Sequence, residues 1–132
     1  MKKIFKNQIA LALAGILAGT SAVAGTLVIN GDTSDPAPKA AFQAVIDGFE
    51  AENPDVDVVY NLFDHEGYKA AIRNFLSADA PDIAFWYAGN RMAPFVEAGL
   101  FAPIDDVWAD QGLYSLMASS APGMTMDGQK WG

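Results

Sequence analysis

The stretch Ala80-Pro81-Asp82-Ile83-Ala84-Phe85-Trp86-Tyr87-Ala88-Gly89-Asn90-Arg91 concentrates recognition chemistry in few residues. Trp86 and Tyr87 carry apolar ring faces with a polar edge. Asn90 brings an amide that both donates and accepts, and Arg91 a planar fork of donors. Such a set suits a polyhydroxylated small molecule, stacked on an aromatic face and gripped through its hydroxyls. It contains no nucleophile paired with a base, so binding is the first reading. A second cluster, Asn30-Gly31-Asp32-Thr33, sets an acceptor carboxylate beside a hydroxyl. Each feature also has a plain structural reading. Asp32 could bond to its own backbone in a turn, Trp86 could pack into the core, and Arg91 could be a surface cation. Near a helix start a cation is mildly unfavourable, which tilts Arg91 toward binding.

Catalytic and metal chemistry find little support. Asp105-Asp106 is a carboxylate pair, but adjacent helical residues do not face each other. A helix N-cap followed by a first-turn acid accounts for both. His65, between Asp64 and Glu66, reads as a solvated turn histidine. There is no G-x-S-x-G, no H-E-x-x-H and no glycine-rich phosphate loop. With no cysteine and one histidine, disulfides, thiol catalysis and multi-histidine metal sites are excluded. No cofactor is expected, and the protein is read as a binder and not an enzyme.

These residues need elements to hold them. Thr26 to Asn30 is a β-branched apolar run entering a loop, the pattern of a buried strand. Pro36 and Pro38 open a helix in which Phe42, Val45, Ile46 and Phe49 recur at helical spacing, and Asn53-Pro54 ends it. Val56 to Leu62 alternates as a second strand. A second helix spans about Glu66 to Ala78, with Tyr68, Ala71, Ile72, Phe75 and Leu76 on one face. Asp82 to Trp86 forms a third strand. Asn90 then caps a third helix, with Pro94 in its first turn and Gly99 just past its end. Asp105 caps a further helical stretch through about Ser120, interrupted near Gly112. The β-α-β-α-β-α order predicts an α/β fold with a mostly parallel sheet flanked by helices. In such sheets ligands sit beyond the carboxyl ends of the strands, where both clusters fall.

The N-terminus reads as a secretory signal. Lys2, Lys3 and Lys6 precede an apolar run from Ile9 to Gly19, and Ala22-Val23-Ala24 supplies a small-x-small cleavage site. The run is shorter than the roughly 20 residues that span a bilayer. Residues 1–24 are thus a signal peptide, and with no cysteine for lipidation the mature chain is free in the periplasm. Cleavage removes three of eight basic residues and leaves five against sixteen acids, a net charge of −11. That balance argues against nucleic acid and anionic membrane surfaces as partners. Met124 to Trp131 reads as a hairpin turning at Asp127-Gly128, with its second strand scarcely begun at Gly132. Residues 25–132 are therefore expected to be an incomplete N-terminal lobe of a longer protein.

Leu27-Val28-Ile29-Asn30-Gly31-Asp32, Pro81-Asp82-Ile83-Ala84-Phe85-Trp86, Asn90-Arg91 and Glu97-Ala98-Gly99-Leu100-Phe101-Ala102-Pro103-Ile104 resemble extracellular solute-binding proteins of the family-1 type. The resemblance implies a two-lobed type II periplasmic binding protein that closes on a sugar about a hinge. It also implies delivery to the permease subunits of an ABC importer in the inner membrane, by a protein expected to act as a monomer. By position it implies substrate-binding roles for Asp32, Trp86 and Arg91, with Thr33 and Asn90 beside them. Maltose-binding members carry a lysine and an aspartate at the last two positions, so the class is implied and not maltose. The alternatives are a binder of a polyamine or other non-sugar solute, and a secreted glycan-active enzyme. Arg91 would repel a polyamine, and the enzyme would need a spaced carboxylate pair.

Overall fold

The computed structural model describes residues 25–132; the signal-peptide reading of residues 1–24 lies outside them. Strand β1 (Gly25–Gly31) is central in a three-stranded sheet of order β2-β1-β3, with β2 (Val56–Leu62) on one side and β3 (Ile83–Ala84) on the other. Both pairings are parallel, with Ile29 opposite Tyr60 and Ile83. Helix α1 (Pro36–Glu52) links the first two strands and α2 (His65–Ala78) the second and third. The predicted α/β class with a parallel sheet flanked by helices is the one observed.

The two faces of the sheet carry different helices. Ile29, Gly31, Tyr60 and Ile83 share one face by pairing and alternation. There Phe42 of α1 meets Tyr60 at 4.9 Å and Phe85 at 5.0 Å between ring centroids. The predicted α1 stripe is only partly covered: Ile46 is buried, whereas Val45 is 63% exposed. On the other face Tyr68, Ile72 and Leu76 of α2 and Phe95 of α3 (Ala93–Glu97) form the core, with Ala84 and Trp86 packed against it.

The third strand is shorter than the expected Asp82 to Trp86. Pro81 has no N–H to offer a ladder, and the Asp82 carboxylate accepts the Val28 N–H at 2.8 Å. A side chain thus takes the place of a backbone rung. Beyond Ala84 a single bond, Phe85 N–H to the Asn30 carbonyl at 3.0 Å, continues the pairing.

Two capping expectations are corrected as well. Asn90 lies inside a 3-10 turn, Gly89–Arg91, and α3 starts after Met92 without a side-chain cap. Ile104 holds the N-cap position of α4 (Asp105–Asp110), and the Asp105 carboxylate instead accepts the Lys130 backbone N–H at 3.2 Å. The end of α3 is as expected. Gly99 adopts φ +67, and bonds from Gly99 N–H to Val96 and Leu100 N–H to Phe95 (both 2.9 Å) close the helix.

After α5 (Leu113–Leu116), β4 (Thr125–Met126) and β5 (Gln129–Lys130) form the predicted antiparallel hairpin. Asp127 and Gly128 both have positive φ, the requirement of its two-residue turn. Lys130 is buried beside Trp108, its ammonium 4.9 Å from the indole ring and bonded to Thr125. Among the described residues, no helix is long and apolar enough to cross a membrane.

Candidate functional site

Asp32, His65 and Tyr87 come from the carboxyl ends of three neighbouring strands and meet there. Asp32 follows β1 directly, where Phe63 N–H bonds to the Gly31 carbonyl at 2.9 Å and Ser34 N–H to the Asp32 carbonyl at 2.8 Å. Gly31 is required by what lies over it. A Cβ there would stand 2.9 Å from the Tyr60 hydroxyl and 3.1 Å from Phe85, too close for any other residue without a shift.

His65 is the first residue of α2, set there by Asp64, whose carboxylate caps the helix by accepting Gly67 N–H at 2.9 Å. Its Nδ1 lies 2.6 Å from Asp32 Oδ2 and its Nε2 lies 3.1 Å from the Tyr87 hydroxyl. A carboxylate can only accept, so Nδ1 carries a proton; when the ring is neutral, Nε2 is then the acceptor for the Tyr87 hydroxyl. The reading of His65 as a solvated turn histidine is corrected in part: its side chain is 47% exposed, yet both ring nitrogens are engaged. The single legible signal was its position at a strand end beside a cap.

Trp86 joins the core to this rim. Its ring meets Phe95 at 5.3 Å and Tyr68 at 6.3 Å, and Tyr87 edge-on at 5.5 Å. The core-packing reading of Trp86 is therefore realised, while its indole N–H donates to the Arg91 carbonyl at 2.8 Å. The Arg91 guanidinium stacks over Tyr87, 4.4 Å from the ring centroid. The residue is exposed, and no described carboxylate lies within ion-pair distance of it. Thr33 is half-buried beside Asp32, and Asn90 is exposed in the turn before Arg91. Neither side chain bonds to the Asp32–His65–Tyr87 array.

Beneath the array, Tyr68 donates to the Asn30 carbonyl at 3.0 Å. Burial, aided by the nearby charge of Asp32, pushes its hydroxyl pKa above that of an ordinary phenol. It is a fixed, neutral donor. Trp86 and Tyr87 also line a largely apolar groove of about 500 Å³, together with Ile83, Phe101, Met124 and Trp131. Asp32 and Arg91 do not line it. Among the described residues, no group of three or more His, Cys, Asp or Glu side chains is placed to hold a metal ion.

The arrangement can grip hydroxyls: an acceptor carboxylate, a phenol and a guanidinium lie on one rim with aromatic surface between them. Comparison with known proteins identifies the family to which the fold belongs. A family model described as bacterial extracellular solute-binding protein matches residues 33–122. No curated protein matches the chain. Among solved structures, the bacterial solute receptor AcbH, reported to prefer β-D-galactopyranose exclusively, is 30% identical with a TM-score of 0.69. The match covers 81% of this chain and 27% of that one. A structure from work on xylan utilization by the thermophilic bacterium Caldanaerobius polysaccharolyticus is 30% identical with a TM-score of 0.74, covering 81% and 28%. UspC of M. tuberculosis shares the fold at 21% identity, with a TM-score of 0.63 and coverage of 81% and 25%. The chain spans about a quarter of the length of the structures it matches.

Proposed function

Because this chain belongs to the bacterial extracellular solute-binding protein family, we propose that it forms one wall of the site with which a periplasmic receptor captures a carbohydrate for an ABC importer. Asp32 accepts hydrogen bonds from solute hydroxyls, Arg91 donates to them, and Trp86 and Tyr87 supply aromatic surface. Thr33 and Asn90 flank the site. The observation that carries this reading is the convergence of Asp32 and Tyr87 on His65 at one strand-end rim, with Arg91 stacked on Tyr87.

Capture needs no covalent step. A solute that touches both lobes of such a receptor favours the closed state by its differential affinity for it. Specificity follows from pairing, since an analogue lacking a hydroxyl leaves a desolvated partner unbonded. The closed receptor then delivers its cargo to the permease subunits in the inner membrane, working as a monomer after its signal peptide is removed. Arg91 disfavours a polyamine, because a second cation at this rim would be repelled.

Titration of the full reading frame with a panel of sugars and polyamines, followed by tryptophan fluorescence, tests the proposal. Saturable quenching by a sugar, lost in Trp86→Ala, is expected. A response to polyamines alone would overturn it. Adjacent genes for a pair of membrane permeases would support the transport role independently.

A further inference from the structure

His65 bridges two residues of the rim that are far apart in sequence: Asp32 is 33 positions away and Tyr87 is 22. We propose that His65 is a positioning residue of the solute site, and that its protonation state sets whether Tyr87 offers the solute an acceptor or a donor. This inference rests on the reading of the rim as a solute site.

The chemistry follows from counting protons. With a neutral imidazole, Nδ1–H is spent on Asp32 and the Tyr87 O–H is spent on Nε2. The phenol oxygen then faces outward as an acceptor, and the second Asp32 oxygen is an acceptor with its full share of charge. When Nε2 takes a proton from solvent, Nε2–H donates to the phenol oxygen and the Tyr87 hydrogen turns outward. The imidazolium also forms a charged pair with Asp32, which draws on the charge available to a solute hydroxyl. A rim that accepts from the solute becomes one that accepts less and donates more.

The surroundings of the ring leave it able to respond. Nearly half of the side chain is exposed, so protons reach it. Asp32 faces it from the loop after β1, and Tyr87 from the loop after β3 with Arg91 on the tyrosine ring. From α2, Glu66 Oε1 lies 4.0 Å from Nε2 but is highly exposed and bonded to Lys69 at 3.0 Å. The neighbouring Asp64 is engaged at the helix cap.

The test measures affinity for D-galactose, xylobiose and maltose by calorimetry, using the full-length protein at pH 5 and pH 8. The wild type is expected to bind its preferred sugar more tightly at pH 8. His65→Ala should weaken binding at pH 8 by about tenfold, the effect of one charge-assisted hydrogen bond, and flatten the pH dependence. His65→Gln should recover part of the affinity without the pH dependence, and Tyr87→Phe should flatten the dependence while leaving the ring in place. Unchanged affinity and an unchanged pH profile in these variants would overturn the assignment of His65 while leaving the sugar reading intact. Should His65→Ala lose its native circular dichroism, Tyr87→Phe decides alone, and a wild-type pH profile in it overturns the proposal. A wild type that binds none of the three sugars overturns the sugar reading, and this inference with it.

Discussion

The indole N–H of Trp86 donates to the backbone carbonyl of Arg91 at 2.8 Å. One bond thereby ties a core aromatic to the turn that presents the guanidinium, so Trp86 positions Arg91 as well as packing against Phe95. Trp86→Phe should keep most of the packing and lose this bond, lowering stability by about 1 kcal/mol. Urea denaturation measures that cost. Sugar affinity should fall further than the stability change explains, because Arg91 is no longer held.

Gly31 and Tyr60 form a second tight relationship. Gly31→Ala would drive a methyl group against the Tyr60 ring and hydroxyl, and overpacking of this kind costs about 1–3 kcal/mol. The Tyr60 hydroxyl is buried without a hydrogen-bond partner among the described residues. Tyr60→Phe should therefore be neutral or stabilising, since it removes a desolvated polar group. In the double variant the phenylalanine should relieve part of the alanine's cost. Additive urea midpoints across this cycle would show that the two residues do not touch.

Tyr68 makes stability depend on alkaline pH. Its hydroxyl pKa is raised by burial, so the folded protein keeps that proton to higher pH than the unfolded chain does. Above about pH 10, the ordinary phenol value, the folded state binds more protons and stability falls as pH rises. The contribution of this one group is at most about 1.4 kcal/mol per pH unit. Tyr68→Phe should lose about 1 kcal/mol at neutral pH with its bond to Asn30. It should also show a shallower decline of melting temperature above pH 10. An alkaline decline identical to the wild type would contradict this account.

Asp64 holds the start of α2, and with it His65. Asp64→Ala should cost about 1 kcal/mol, the usual worth of such a cap, while Asp64→Ser should retain most of it. Amide hydrogen exchange should locate the loss in the first turn of α2. Protection unchanged there in Asp64→Ala would refute the capping role.

Much of the fold was legible because its determinants are local. The span of β2, the burial of Tyr68, Ile72 and Leu76 on α2, the stop at Gly99 and the turn at Asp127-Gly128 each follow from residues within a few positions of one another. Periodicity, a C-terminal glycine and a two-residue turn act over that distance. Asp32, Trp86 and Arg91 could be singled out for the same reason, being residues of the right chemistry at strand ends. Misjudged features depend on distant partners. The third strand is cut short by a carboxylate bonded to Val28, 54 positions away, and the Asp105 side chain is claimed by Lys130, 25 positions away.

By itself, then, the sequence determined the α/β class, the buried face of α2, the hairpin turn and which polar and aromatic residues stand near the strand ends. Local backbone preference and hydrophobic period are properties of short segments. Tertiary structure alone decided the strand order β2-β1-β3 and the joining of Asp32, His65 and Tyr87 into one array. A hydrogen bond forms between groups within about 3 Å of each other. Only the parallel pairing of three strands brings residues so far apart in the chain to that distance.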